Sequence, residues 1–233
     1  MIAITFAVSQ ESSGVIKRLR EKKAVLHQGD RLISGKIDNH PLVIVHTGVG
    51  RKICGPRMET LLHKTRPRLV ISSGFAGAVR EDLNVGDLIL AENFSDRHLL
   101  ETAERILRDH RPRAVRLFTS ASIVDSVAER NEIARANNAA ALDMETETIA
   151  TACNAHGIPL LSLRVISDSL RQPLPAPPEI LFDIERQGTD FGGLALYLMT
   201  HPLRIGRFFN FARRVARARG ALTDAIMAVI REL

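Results

Sequence analysis

The sequence predicts a single α/β domain in which a mixed, largely parallel sheet is covered by helices on both faces. Three observations carry this expectation. Short apolar runs alternate with helix-like segments along most of the chain, the pattern that buries a sheet between two helical layers. The 233 residues, 45% of them hydrophobic and 25% charged, suffice for one sizeable core and do not demand a second. Glycine pairs and acidic clusters fall where the apolar runs end, and in such sheets ligands gather at the carboxyl ends of strands.

Taken in order, residues 2–8 are apolar but for Thr5 and read as a buried first strand, with 12–21 as the helix that follows. Residues 31–37 and 41–47 read as a hairpin turning at Asp38 and Asn39. Gly48, Val49 and Gly50 then lead into a helix that ends near His63. Residues 69–73 form a short buried strand closed by Gly74, Phe75, Ala76 and Gly77. Val85, Gly86 and Asp87 make a turn before a strand at 88–92; 99–108 is helical and 115–120 extended. The stretch from Thr146 to Ile166 reads as helix, turn and strand, which delivers Asp143 to Glu145 and Ser167 to Asp168 to one rim of the sheet.

Singly, these features have ordinary readings. Glu145 at a helix entrance complements the macrodipole, and Asp168 in Ser-Asp-Ser suits an Asx turn. A Gly-x-Gly turn at Gly48 and Gly50 is often only a tight connection, although free amides before a helix can hold an anion or a hydroxyl. Glycine at Gly74 and Gly77 lets backbone approach a ligand closely.

In combination they carry a resemblance. Leu-Asp-Met-Glu-Thr-Glu-Thr-Ile-Ala at 142–150, followed by Arg-Val-Ile-Ser-Asp at 164–168, resembles the purine nucleoside phosphorylase and nucleosidase superfamily in motif, order and spacing. The two glycine-bearing segments precede the acids as they do in that family, and Val85-Gly86-Asp87 resembles its structural turn. The resemblance covers roughly residues 1–185 and implies a three-layer α/β/α nucleoside phosphorylase-like fold. It also implies cleavage of the N-glycosidic bond of a purine nucleoside, adenine being the base expected, with no metal or organic cofactor. By resemblance, Glu145 takes the ribose hydroxyls, with Met144 packed on the sugar and Asp143 beside it. Asp168, next to Ser167, protonates or hydrogen-bonds the purine N7. Breaking the bond builds oxocarbenium character on ribose and negative charge on the base, so a proton at N7 lowers the barrier. Gly74, Phe75, Ala76 and Gly77 shape the base site, Ile123 and Val124 line an apolar purine slot, and Gly50 belongs to the ribose or phosphate region.

The acceptor is left open between phosphate and water. Phosphorylases of the family hold phosphate with an Arg shortly before the second glycine segment and a Ser inside it; this chain has Ser72 and Phe75 there. The methylthioadenosine/adenosylhomocysteine nucleosidases use a Glu after the first strand to activate water. Ser12 aligns with that position and Glu11 is one residue away, so Glu11 is the candidate base. Arg51 and Lys52 offer a non-standard anion site or are simply solvated. A nucleoside-binding protein that lost its acceptor site is the alternative of a different class.

The chain carries a formal net charge of +6 and a pI near 9.9. Two cysteines, Cys54 and Cys153, are too few for a disulfide framework or zinc site and read as buried thiols. The first residues show no secretory pattern and no run reaches the roughly 20 apolar residues of a membrane span, so a cytoplasmic location is expected. From about residue 188 the chain becomes a basic amphipathic segment. There Arg204, Arg207, Arg213, Arg214, Arg217 and Arg219 alternate with Leu203, Ile205, Phe208, Phe209, Phe211 and Val215. Such a tail suits peripheral contact with the inner membrane surface, an acidic partner, or a helix packed on the domain with a solvated arginine face; a scaffold acting through this tail is a further alternative. No base-reading motif accompanies the charge, which argues against nucleic acid. This tail, the short stretch between 92 and 115 and the prolines Pro173 and Pro175 most resemble the hopanoid-associated phosphorylase branch. That branch implies a bulky 5′ substituent, as in adenosylhopane, and the superfamily implies a homo-oligomer.

Overall fold

The computed structural model describes residues 1–27, 30–184 and 187–233. A ten-stranded mixed sheet forms its middle layer. Strand β1 (Ile2–Phe6) lies between β4 (His40–His46) and β5 (Leu69–Ala78), parallel to both, and β10 (Leu160–Asp168) pairs parallel with β5. These four strands are apolar on both faces, as strands covered twice must be. Helices α1 (Ser9–Arg18), α3 (Arg97–Ile106) and the end of α8 (Ile205–Glu232) bury Val15, Leu99, Ala103, Leu222 and Ile226 against one face. Helices α2 (Arg51–Thr65) and α5 (Thr146–Ala155) bury Met58, Leu61, Leu62 and Ile149 against the other. The expected three-layer mixed fold is what forms.

Several elements differ from expectation. The first helix ends at Arg18, and residues 20–27 form β2, antiparallel to β3 (Asp30–Ile37). Strand β2 is a sheet edge whose exposed Arg20, Glu21, Lys22 and Lys23 hide any apolar alternation; charged edges of this kind discourage pairing with other chains. The glycine segment Gly74 to Gly77 does not close β5 but is its last part, paired with β10 on one side and with β9 (Ala141–Asp143) on the other. The extended run at 115–120 splits into β7 (Arg113–Val115), beside β6 (Leu88–Ala91), and β8 (Leu117–Thr119), beside β9. Helix α4 (Val127–Asn137) has only Arg130 buried, which leaves no apolar stripe to read.

The C-terminal segment divides in two. The second half of α8 is a packed helix, with Ala218, Leu222, Ala225, Ile226, Val229 and Ile230 in the core. Its first half, α7 (Phe191–Thr200) and the turn Pro202–Arg204 between them contribute little to it. Among the described residues no helix is long and apolar enough to cross a membrane. Both cysteines are buried free thiols; burial pushes each up to about 12.

Candidate active site

The sheet topology brings four chain segments to one rim. Parallel pairing sets Arg164 of β10 opposite Gly74 of β5 and Asp168 opposite Gly77, with an irregularity at Ser167. Strand β9 delivers Asp143, and the chain turns directly into α5 with Glu145 as its N-cap residue. The first turn of α1 brings Glu11 to the same place.

Glu11 is buried and held by backbone. Its Oε2 accepts from the amides of Ala7 at 2.9 Å and Val8 at 3.1 Å, and its Oε1 accepts from the Phe75 amide at 2.8 Å. Burial pushes its carboxyl above the ordinary carboxylate range, and the three amides and the Arg164 charge work against that rise. Gly74 is required beside it, since its φ is +153° and a Cβ there would lie 2.6 Å from Glu11 Oε1. Ser12, the residue that aligns with the family's base, instead faces His46, with Oγ 2.7 Å from Nε2. The helix phase therefore puts Glu11, not its neighbour, in the site.

Glu145 accepts from the Gly50 amide at 2.9 Å, so the first glycine turn fixes a carboxylate at the entrance of α2. Burial first, then the neighbouring Asp143 charge, push Glu145 up to about 8. Met144 is buried next to it.

Two buried arginines, neither of them foreseen, complete the rim. Arg164 pairs with Asp143, Nη2 to Oδ2 at 3.0 Å, and donates to Ser72 Oγ at 2.8 Å and Thr146 Oγ1 at 2.7 Å. Asp143 also accepts from Thr119 Oγ1 at 2.9 Å and from the Thr146 amide and hydroxyl. Its carboxylate is thus committed to protein partners, Arg164 among them. Arg130 pairs with Asp168 and donates to the carbonyls of Val124 at 2.8 Å and Ala78 at 3.1 Å. The other Asp168 oxygen accepts from Ser167 Oγ at 2.7 Å. A Cβ at Gly77 would come within 3.1 Å of Asp168 Oδ2.

Val124 closes a small core with Val79, Ala139 and Leu142 beneath α4, and its carbonyl holds Arg130; Ile123 is half-buried. Phe75 packs partly against the main core, and Ala76 is buried. Arg51 and Lys52 are exposed, with Arg51 3.5 Å from Glu147.

A small recess, on the scale of a single water molecule, is lined by Thr5, Glu11, Thr47, Ser73, Glu145 and Arg164 with Phe6, Gly74, Phe75 and Ile149. Thr5 Oγ1, Ser73 Oγ and Arg164 Nη1 are buried there and have no hydrogen-bond partner among the described residues. Buried polar groups are ordinarily paired, so three on one recess mark a place built to hold a polar atom. A separate trio of potential metal ligands, Glu59, His63 and His156, lies at the opposite ends of α2 and α5 and takes no part in the recess.

Sequence reading missed Arg164 despite a signal: one charge inside the apolar run Leu160 to Ile166 must find a buried partner. Arg130 offered none, since its helix is otherwise exposed or half-buried.

The family model described as Phosphorylase superfamily matches residues 1–105 and 92–195. A 5′-methylthioadenosine/S-adenosylhomocysteine nucleosidase of Staphylococcus aureus is 26% identical over 196 residues, covering 72% of this chain and 86% of that protein. The Streptococcus pneumoniae MTA/SAH nucleosidase in complex with 8-aminoadenine superposes with a TM-score of 0.77 at 19% identity, over 100% of this chain and 99% of that one. The futalosine hydrolase of Helicobacter pylori superposes with a TM-score of 0.76 at 15% identity, over 100% of this chain and 97% of that one.

Proposed function

This chain belongs to the phosphorylase superfamily, and from that premise we propose that it cleaves adenine nucleosides with water as the acceptor. Cleavage of a purine nucleoside N-glycosidic bond is the reaction class, and adenine follows from the nucleosidases that the chain resembles in sequence.

The recess is the single observation that carries the acceptor. A bound water needs two to four polar partners, and Thr5, Ser73, Arg164 and the two carboxylates supply them. Phosphate is disfavoured in the same place. Glu11 and Glu145 both face the recess, and the Arg164 charge is already matched by Asp143 at 3.0 Å. Among the described residues lining the recess, a dianion would meet two acids and one arginine already paired with Asp143.

In the proposed reaction Glu11 takes a proton from the water as its oxygen bonds the ribose C1′. The bond from C1′ to the purine nitrogen breaks and its electron pair passes to the base, which is protonated at N7 by Asp168 after that carboxylate has taken up a proton from solvent on substrate binding. The products are adenine and a free sugar. Glu145 holds the ribose hydroxyls while the Gly50 amide fixes its orientation. Ser167 and Arg130 steer Asp168 from its two sides. That Glu11, rather than Ser12, lines the recess supports turnover over an inert nucleoside binder.

A second reading keeps the chemistry and enlarges the 5′ group to a hydrocarbon, as in adenosylhopane. It is supported by the segment after Asp168, which lays Gln187 on the first glycine turn and then exposes Leu196, Met199 and Leu203. The test is adenine release from 5′-substituted adenosines with and without phosphate, using wild type and Asp168→Asn. Release by wild type in phosphate-free buffer, lost in the variant, is expected. Release that depends on phosphate would replace the hydrolytic reading, and the preferred 5′ group decides between the two substrates.

A further inference from the structure

We propose that the helical arm formed by α7, the turn after it and the first half of α8 docks on an anionic membrane surface. Between Phe191 and Thr223 the chain has no Asp or Glu but carries six arginines: Arg204, Arg207, Arg213, Arg214, Arg217 and Arg219. Among the described residues no carboxylate pairs with Arg204, Arg207, Arg213 or Arg217, and all four are exposed.

The same arm holds most of the chain's large exposed apolar side chains. Leu203 is 93% exposed, Met199 79%, and Leu196 and Phe209 63% each. Helix α7 is apolar along most of its length, yet among its described side chains only Leu194 is buried. Contiguous exposed apolar surface of this kind marks an interaction or membrane site. Exposed aliphatic and aromatic side chains beside uncompensated arginines match a bilayer interface, where apolar groups enter the acyl boundary and cations meet lipid phosphates.

Charge decides among the occupants. A second copy presenting the same arm would set six arginines against six with no acid between them. Nucleic acid would satisfy the arginines and leave Leu196, Met199 and Leu203 in water. Only an anionic interface answers both, and since no helix among the described residues can span a bilayer, the contact is peripheral.

The test is co-sedimentation of the full chain with phosphatidylcholine vesicles, with or without phosphatidylglycerol. Wild type should bind the mixed vesicles, weakly the neutral ones, and less in high salt. At roughly a fivefold effect per charge near the surface, Arg204→Glu/Arg207→Glu/Arg213→Glu should bind at least about a hundredfold more weakly. Leu196→Ser/Met199→Ser/Leu203→Ser should also lose binding although no charge changes. Both triple variants replace exposed residues, so unchanged far-UV dichroism and melting confirm folding, and neither readout needs turnover. Equal binding by the apolar variant, or equal affinity for duplex DNA, would overturn the proposal in favour of a generic polyanion site. Self-association abolished by the apolar variant, without vesicle binding, would overturn it in favour of a second copy.

Discussion

A single methyl group added at Gly74 should cripple turnover while leaving the domain folded. The new Cβ would lie 2.6 Å from Glu11 Oε1 and 3.0 Å from the carboxyl carbon. Carbon–oxygen contacts relax at roughly 3.3–3.6 Å, so the carboxylate must retreat by about 0.7–1 Å. That retreat stretches the 2.8 Å bond from the Phe75 amide and moves Oε1 away from the recess. A misplacement of about 1 Å in a catalytic group lowers the rate about a hundredfold, or about 2.7 kcal/mol of barrier. Strain adds to this, since side chains rarely adopt the φ of +153° at Gly74; such residues lose about 1–3 kcal/mol of stability. For a chain of this length that is a fall of roughly 2–12 °C in melting temperature. The assay pairs steady-state adenine release with thermal unfolding of Gly74→Ala. A folded variant with wild-type kcat would refute the claim that the Phe75 amide and Gly74 aim a catalytic Glu11.

Two further outcomes follow from the buried charges. Glu145 is raised to about 8 from an ordinary 4.5, so the folded state binds its proton more tightly than the unfolded state does. Its contribution is therefore fully present below the ordinary carboxylate range and lost as pH rises through about 8. Wild type should lose up to a few kcal/mol across that window, and melting curves of Glu145→Gln against pH should be flatter; parallel curves would contradict the assignment. Removing one partner of a buried ion pair destabilises by about 3–5 kcal/mol. Arg130→Met, which strands Asp168, should therefore melt about 6–20 °C lower; an unchanged melting temperature would mean that the pair does not hold the rim.

The fold was legible because its central strands are short, apolar and regularly interrupted. Glu145 and Asp168 were legible through the family resemblance carried by the motifs at 142–150 and 164–168. What the sequence hid has particular causes. Strand β2 keeps its charges exposed at the sheet edge, so it shows no alternation. Whether Glu11 or Ser12 faces the recess depends on where α1 begins, and the helix starts at Ser9, three residues before the expected residue 12. Asp143 resembled a substrate ligand because nothing local reveals its partner, Arg164, 21 residues away. Arg130 reaches Asp168 from 38 residues away on a helix with no apolar stripe. One-dimensional pattern reports which face of an element is apolar; it does not report which buried polar groups find one another across elements.

The most direct test of the central claim follows the source of the oxygen on the sugar. Wild type and Glu11→Gln are each supplied with 5′-methylthioadenosine in phosphate-free buffer made with heavy-oxygen water, and the products are weighed by mass spectrometry. The hydrolytic account predicts adenine and a free sugar labelled at C1′, formed about 10²–10⁴-fold more slowly by the variant. Product that appears only when phosphate is restored, as an unlabelled sugar phosphate and at equal rates for both proteins, would contradict it.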